Sequence, residues 1–396
     1  MKNMSIDKIR KLTDKGVKCS NPETIEIGND VDIERISGNG VKIYSGCRIF
    51  GKKIYISHNV RLGYESPLVI NNCQVGPNAD LKGGFLKDAV FLENASMGNG
   101  AHVREGTILE ENASCAHTVG LKQTILFPFV TLGSLINFCD CLMSGGTGGK
   151  NHSEIGSSYI HFNFTPNQDK ATPSLIGDVP RGVMLNQRPV FLGGQGGLVG
   201  PCRLGFGIVI AAGTVWRKDE LRNSRLLMTG ETKELNIPYS PGIRTSYKRI
   251  IKNNIIYIAN LIALSRWYTD IRSMFVSENF PEPLLYALKE NISIAVLERI
   301  EKLEVFFYKI METTDLSLNW NKVDAYFKNL TYKGDPALRE AFMGKISSAI
   351  EKKGNNYLTV IKGLENKETA MGTMWLQGII DKITDNLLKN LTIQAC

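Results

Sequence analysis

The sequence has no apolar run long enough to cross a bilayer. Its most apolar stretch, Ile255 to Leu264, is flanked by polar residues and falls well short of the about 20 residues that a membrane-spanning helix needs. Residues 1–18 contain no hydrophobic core of the kind that marks a secretory signal peptide. We therefore expect a cytoplasmic protein that does not insert into a membrane.

The sequence also lacks the cysteine spacing of a disulfide framework or a zinc site. The eight cysteines are scattered, and Cys139 and Cys141 form a C-x-C pair without a second pair at zinc-site spacing. The five histidines include no pair at close ligand spacing. We expect reduced thiols, as is typical of cytoplasmic proteins, and no metal.

The charge distribution lacks the features of a nucleic-acid-binding protein. The net charge is +8, but no block of lysine and arginine and no interleaving of basic with aromatic residues occurs. We expect no nucleic-acid partner. The excess of positive charge favours anionic ligands such as nucleotides or coenzyme A, although a mildly basic surface without a specific role explains it equally well.

What the sequence does have is a six-residue period between residues 85 and 131, which fits neither an α-helix nor an ordinary strand. One column holds long apolar residues: Phe85, Phe91, Met97, Val103, Leu109, Cys115, Leu121 and Phe127. A second column holds small or β-branched residues: Ala89, Ala95, Ala101, Thr107, Ala113, Val119, Ile125 and Thr131. Three such hexapeptides close one coil of about 18 residues. We therefore predict a left-handed parallel β-helix whose axis is filled by the long apolar column.

The chain outside this period divides into further segments. Residues 5–15 have the spacing of an amphipathic helix, and residues 245–396 have few glycines and helical apolar spacing. We predict an N-terminal helix within residues 1–20, a β-helix over 21–222, a linker over 223–244 and an all-α domain over 245–396. We expect the α domain to pack against or cap the β-helix, and it is also available for contact with another protein.

Two stretches interrupt the repeat, residues 141–150 and 163–173. The first contains Ser-Gly-Gly-Thr-Gly-Gly, which is either a tight turn or a cradle for a phosphate. Residues 193–197, Gly-Gly-Gln-Gly-Gly, are either a close-packed corner or part of a coenzyme groove. The neighbouring carboxylates Glu110 and Glu111 point to opposite sides of a strand, and we expect both to be solvated.

Residues 104–122 read Arg-Glu-Gly-Thr-Ile-Leu-Glu-Glu-Asn-Ala-Ser-Cys-Ala-His-Thr-Val-Gly-Leu-Lys, and residues 210–214 read Ile-Ala-Ala-Gly-Thr. These segments resemble the acetyltransferase half of the bifunctional glucosamine-1-phosphate acetyltransferase / N-acetylglucosamine-1-phosphate uridyltransferase family. The resemblance covers about residues 5–220. It implies a homotrimer that transfers an acetyl group from acetyl-CoA to an amino sugar phosphate or nucleotide sugar.

The resemblance also implies roles for several residues. Arg104 and Lys122 would bind the phosphate of the sugar phosphate or nucleotide, and an ordinary solvated face is the alternative. Asn163-Phe164 looks like an asparagine–tyrosine pair that contacts the sugar. Lys170 is the nearest match to a lysine that contacts acetyl-CoA. The residues matching the walls of the acetyl-CoA groove are Gly194 and Ala212.

This sequence departs from the family pattern at the catalytic base. The family has His-x-x-Tyr where this chain has Ser134-Leu-Ile-Asn137, so both the base and the tyrosine are replaced. Asn137 stands in the tyrosine's place and is a candidate substrate-binding residue. We predict that His152, in the altered loop, is the general base, with His161 as the alternative.

The missing histidine leaves a second function open, a non-catalytic sensor or scaffold that binds a sugar nucleotide. A third, uridyltransfer, is not expected, because nothing near the N-terminus resembles the glycine- and arginine-rich loop that binds UTP in the bifunctional proteins. A zinc enzyme on the same fold, as in one class of carbonic anhydrase, would need three clustered histidines and is not expected either.

Overall fold

Short strands, most of them parallel, recur from residue 18 to residue 227 in a computed structural model, which describes residues 2–165, 169–230, 236, 238, 247–313 and 320–390. The strands of the β-helix pair in parallel with strands one coil later. For example, Met97 pairs with Cys115, and Val103 pairs with Leu121. One sheet runs through eleven strands in sequence order, so the chain makes about eleven coils. The predicted parallel β-helix is confirmed.

Three faces surround the axis of the β-helix. The first face consists of Lys18–Cys19, Lys42–Ile43, Arg61–Leu62, Asp80–Leu81, Ser96–Met97, Ser114–Cys115, Thr131–Leu132, Glu154–Ile155, Phe191–Leu192, Val209–Ile210 and Leu226–Leu227. The second face consists of Glu26–Ile27, Arg48–Phe50, Leu68–Asn71, Gly84–Lys87, Ala101–Val103, Ile160–Phe162, Gly197–Val199 and Val215–Trp216. The third face consists of Tyr55–Ile56, Gln74–Val75, Ala89–Phe91, Thr107–Leu109, Ser174–Ile176 and Arg203–Leu204. The strands Val119–Leu126 and Ile136–Met143 each supply both the second and the third face.

The apolar column is less regular than the six-residue period predicts. Phe85 is only half-buried, and Leu86, one residue later, pairs with Val103 inside the β-helix. The partner of Leu109 one coil on is Leu126 rather than Phe127. Coils of 17 and of 18 residues both occur in this region, so the assignment of Phe85 to the axis is wrong. The other predicted members of the column between Phe85 and Phe127 are buried as predicted.

Helices complete the structure. They are α1 (Lys2–Asp14), α2 (Val179–Gly182), α3 (Tyr247–Arg266), α4 (Glu282–Thr313), α5 (Trp320–Lys328), α6 (Pro336–Lys353), α7 (Tyr357–Lys362) and α8 (Asn366–Asn390). A π-helical turn, Trp267–Ile271, and 3-10 segments at Pro22–Thr24, Ile33–Arg35 and Arg272–Phe275 are also present. Among the described helices, none combines the length and the apolar character that crossing a bilayer requires.

The helical region packs along the third face. Apolar residues occur in pairs on this face. One member of each pair points to the axis of the β-helix and the other points outward. The outward members, Val90, Ile108, Ile125, Leu142 and Leu175, are all buried. Helix α4 contacts the strands that carry Val90 and Ile108, and α3 contacts the strand that carries Leu175. The helices therefore make these contacts with the side of the β-helix and not with an open end.

The predicted division into domains stays a prediction. Helix α1 covers much of the segment expected to be helical, and its Ile9 and Leu12 are buried while Ile6 is half-exposed. The predicted linker, 223–244, lies largely outside the described residues, although the last strand, Leu226–Leu227, falls within it.

Glu110 and Glu111 are not solvated, contrary to our expectation. Both are buried where the third face meets the helices. The Tyr268 hydroxyl donates to Glu110 over 2.6 Å, and Arg272 forms an ion pair with Glu111. The covering helices, which the period of the repeat does not reveal, account for this difference.

Candidate functional site

Arg104 and Lys122 lie one above the other at one edge of the second face. The Arg104 amide donates to the Leu121 carbonyl, which continues the parallel pairing of Val103 with Leu121. Their side chains therefore leave the same edge one coil apart, about 4.8 Å along the axis. Arg104 is exposed and Lys122 is half-buried. Two cations so close together form a suitable receptor for a phosphate.

Lys122 is not an isolated cation. Its ammonium lies 2.8 Å from a carboxylate oxygen of Glu105. Partial burial tends to raise the pKa of Glu105, but the hydrogen bond from Lys122 and the charge of Arg104 outweigh burial and lower that pKa. Glu105 is therefore an anion that a bound phosphate would have to compete with.

Asn137 and Cys139 continue the second face below these cations. Asn137 pairs with Gly120 and is exposed, and Cys139 pairs with Lys122. Burial, followed by the charge of Asp140, raises the pKa of Cys139 to about 11. Its thiol is therefore protonated at neutral pH and is a poor nucleophile.

The segment after the second face holds Asn163, Phe164 and Lys170. The Asn163 amide donates to Asp140 over 2.7 Å, and Asp140 lies 3.1 Å from Arg299 of α4. The Lys170 ammonium lies 4.5 Å from the centre of the Phe164 ring, which is exposed. The helical region thus anchors Asn163, and these three side chains lie at the edge of the second face that also carries Lys122.

Gly194 and Ala212 occupy the opposite edge, the corner between the first and second faces. The register of the first face places Ser134, Ser157, Gly194 and Ala212 in one row on successive coils. The Gly213 amide donates to the Gly194 carbonyl over 2.9 Å. Beside this row, a Cβ atom at Gly193 would approach the Ala212 nitrogen to 2.4 Å, as in a close-packed corner.

His152 lies at the third corner of the β-helix, away from Arg104 and Lys122. The glycine-rich interruption begins at Ser144, after the strand Ile136–Met143, and folds into a hairpin of Gly146–Gly148 and Asn151–His152. One ring nitrogen, Nδ1, lies 2.9 Å from the Gly149 carbonyl, and Nε2 lies 3.7 Å from Glu154. Within one chain, this hairpin joins the third face to the first and does not border the second.

His161 is an interior residue and cannot replace the missing base. It is 1% exposed, its Nδ1 lies 2.7 Å from the Cys139 carbonyl, and its Nε2 lies 2.7 Å from the Ser174 hydroxyl. Burial lowers the pKa of His161 to about 4, so the ring is neutral. The alternative assignment of His161 as the base is therefore wrong, because both nitrogens are occupied away from solvent.

The second face is an open surface in the single chain. Cavities of about 190 Å³ and 300 Å³ lie elsewhere, between the third face and the helices, and border Arg181 and Glu111 respectively. In the described part of the chain, no group of three or more histidine, cysteine, aspartate or glutamate side chains is placed to hold a metal ion.

Two residues of the second face escaped the sequence analysis. His102 precedes Arg104 by two positions, so both side chains point outward from the same strand. Gly120 has the same relation to Lys122. The alternation of inward and outward side chains along each strand predicts that both residues face outward. The six-residue period, by contrast, identifies the buried columns and not the outward positions.

Comparison with known proteins supports the sequence resemblance. No protein-family model matches the chain. The chain is 27% identical over 212 residues to "Bifunctional protein GlmU" of Thermotoga maritima, a match that covers 54% of this chain and 42% of the relative. The protein of the same name from Pelobacter propionicus is 29% identical over 211 residues, which cover 53% of this chain and 40% of the relative. The chain therefore aligns with less than half of each of these relatives, and the parallel β-helix fits the acetyltransferase half of GlmU-like proteins.

Proposed function

We propose that this homologue of the GlmU proteins is an acetyl-CoA-dependent acyltransferase that acts on an amino sugar phosphate or a nucleotide sugar. The observation that carries the proposal is the stacked pair Arg104 and Lys122 on the open second face, within the segment whose sequence resembles the family. Both cations would hold the phosphate. Gly194 and Ala212 would border the coenzyme, and Lys170, at the other edge of the second face, would contact it from a neighbouring copy of the chain.

The reaction would be a direct transfer within a ternary complex. The amine of the sugar attacks the thioester carbonyl, the carbon–sulfur bond breaks, and the amine proton passes to a base and then to the departing thiolate. A cysteine intermediate is disfavoured, because burial raises the pKa of the thiol nearest the cations, Cys139, to about 11. His152 remains the base predicted from the sequence, and it would have to reach the second face from a neighbouring copy of the chain.

A homotrimer is part of this proposal. Exposed apolar residues follow one another on the first face, where Phe191, Val209 and Leu226 occupy consecutive coils. Contacts between copies would cover this row and place a second copy beside the open site. The proposed location is the cytoplasm, where acetyl-CoA and sugar nucleotides are available.

A non-catalytic sensor or scaffold is the second candidate, favoured by Ser134 in the place of the family's histidine. Calorimetry on the full chain separates the two functions. Binding of both acetyl-CoA and UDP-N-acetylglucosamine, weakened at least tenfold for the nucleotide sugar in Arg104→Ala, supports the acyltransferase. Binding of the nucleotide sugar without any binding of acetyl-CoA favours the sensor and contradicts the acyltransferase.

A further inference from the structure

The outward row of the second face has a gap at Gly120. Consecutive members of this row are Phe85, His102, Gly120, Asn137 and Ile160, each paired with the next one coil later. Among these five residues, Gly120 alone has no side chain. The gap therefore lies between His102 and Asn137, whose strands are about 10 Å apart at the usual spacing.

Neither the backbone nor the packing requires glycine at this position. Gly120 is not among the glycines with positive φ. A Cβ atom built on it would meet only the Ile136 carbonyl oxygen, at 3.9 Å, which is an ordinary contact. Gly197, further along the same row, differs, because its Cβ would approach the Phe162 ring to 2.5 Å. The missing side chain at Gly120 therefore creates free space rather than relieving strain.

Polar groups border this space on three sides. Arg104 and Lys122 lie two positions further along the same strands as His102 and Gly120, about 7 Å away along each strand. Asn137 lies below the gap. His102 lies above it, exposed and stacked on Phe85 with ring centroids 5.4 Å apart. Among the described residues, none hydrogen-bonds with the His102 imidazole, so both ring nitrogens are available to a ligand.

The other histidines are placed less favourably. His117 lies at the corner before Gly120, close enough to the Glu65 carboxylate to interact with its charge. His58 contacts Ser57 three coils earlier. The charged groups around His102 are Arg104 on its own strand, Lys122 with its partner Glu105 on the next coil, and Lys87 with its partner Asp88 on the previous coil.

We propose that the gap over Gly120 receives the sugar ring of an amino sugar phosphate and that His102, in place of His152 at the distant corner, accepts the proton of its amine. This inference rests on the proposed function and assigns its acceptor site. The phosphate lies against Arg104 and Lys122, and the ring lies over Gly120 between His102 and Asn137. As the nitrogen–carbon bond forms and the carbon–sulfur bond breaks, the imidazole takes the amine proton and returns it to the thiolate of coenzyme A.

Filling the gap tests the binding part. Gly120→Leu should fold, because the site has room for a side chain, and its melting temperature should be no lower than that of the wild type. The control Gly344→Leu makes the same replacement at an exposed position of α6, where an added Cβ atom would meet no neighbouring atom within 4 Å. Calorimetry with glucosamine 1-phosphate should show at least a tenfold weaker affinity for Gly120→Leu and no change for Gly344→Leu. Wild-type affinity in a folded Gly120→Leu overturns the proposal, whether or not the wild type turns over.

Replacing the imidazole tests the catalytic part. His102→Gln should keep the affinity for glucosamine 1-phosphate within about threefold and lower kcat by about 100-fold or more, the usual scale of general-base catalysis. Its pH–rate profile should also lose the acidic limb. An unchanged kcat in His102→Gln, or a loss confined to His152→Ala, overturns the assignment of His102.

The experiments distinguish failure of this inference from failure of the proposed function. Turnover that is lost in Arg104→Ala but kept in Gly120→Leu leaves the acyltransferase in place and removes the Gly120 site. Absence of any turnover in the wild type contradicts the acyltransferase. In that case a shift of the His102 imidazole NMR signals on addition of glucosamine 1-phosphate, absent in Gly120→Leu, supports the site, and unshifted signals contradict it.

Discussion

Arg272 is the side chain whose loss should most weaken the contact between the helices and the β-helix. Its guanidinium is 1% exposed and pairs with the buried carboxylate of Glu111. It lies between the rings of Phe280 and Tyr357, at 4.2 Å and 3.8 Å from their centres. Arg272→Leu would remove this cation and leave Glu111 buried without a partner of opposite charge.

The expected cost follows from the burial of the pair. Removing one partner of a buried ion pair costs about 3–5 kcal/mol, because the remaining charge cannot be hydrated. The Lys53–Glu290 pair also joins the β-helix to α4, but its side chains are 52% and 47% exposed. Breaking such an exposed pair costs about 0–1 kcal/mol. Lys53→Leu is therefore a matched control for Arg272→Leu.

Urea unfolding of the full chain at one fixed protein concentration measures the difference. We expect Arg272→Leu to lower the free energy of unfolding by several kcal/mol more than Lys53→Leu. The double variant Arg272→Leu/Glu111→Leu should recover much of the loss, because no unpaired charge from this pair then remains buried. Equal losses in Arg272→Leu and Lys53→Leu would refute the reasoning from burial.

Three further predictions concern nearby carboxylates. Burial, and then the charge of Glu111, raises the pKa of Glu110 to about 7. The folded protein therefore favours the protonated carboxyl group, so the contribution of Glu110 to stability is full below about pH 4.5 and is lost as the pH rises to 7. The free energy of unfolding should fall by about 3 kcal/mol across this window, and Glu110→Gln should remove the trend. Tyr268→Phe withdraws the hydrogen bond to Glu110 and should cost about 1–3 kcal/mol in urea unfolding, whereas no cost would show that this bond is unimportant. Glu105→Gln frees Lys122 and should strengthen the binding of glucosamine 1-phosphate several-fold in calorimetry, and unchanged affinity would show that Glu105 does not compete with the phosphate.

The sequence predicts the β-helix well because its signal is repeated in every coil. A slip of one residue, as at Phe85 and Leu86, changes which side chain faces the axis without changing the fold. The stacking of Arg104 on Lys122 was also predictable, because 18 residues is one coil in this region. The sequence period specifies these features directly.

The environment of the third face could not be derived in the same way. A strand that is covered by helices needs apolar residues on both sides, and pairs such as Ile108-Leu109 carry that signal. Which helices cover the face depends on long-range packing, so the burial of Glu110 and Glu111 was missed. The interior position of His161 was missed for a related reason. Its two buried hydrogen-bond partners come from other strands, so the sequence around it does not distinguish it from a histidine in an exposed loop.

Acetyl transfer by the purified full chain tests the central claim most directly. The assay follows release of the coenzyme A thiol from acetyl-CoA with and without glucosamine 1-phosphate, for the wild type and for Arg104→Ala. The account predicts thiol release that requires the amino sugar and falls at least tenfold in Arg104→Ala. Thiol release that is independent of the amino sugar, or equal rates in both proteins, would contradict it.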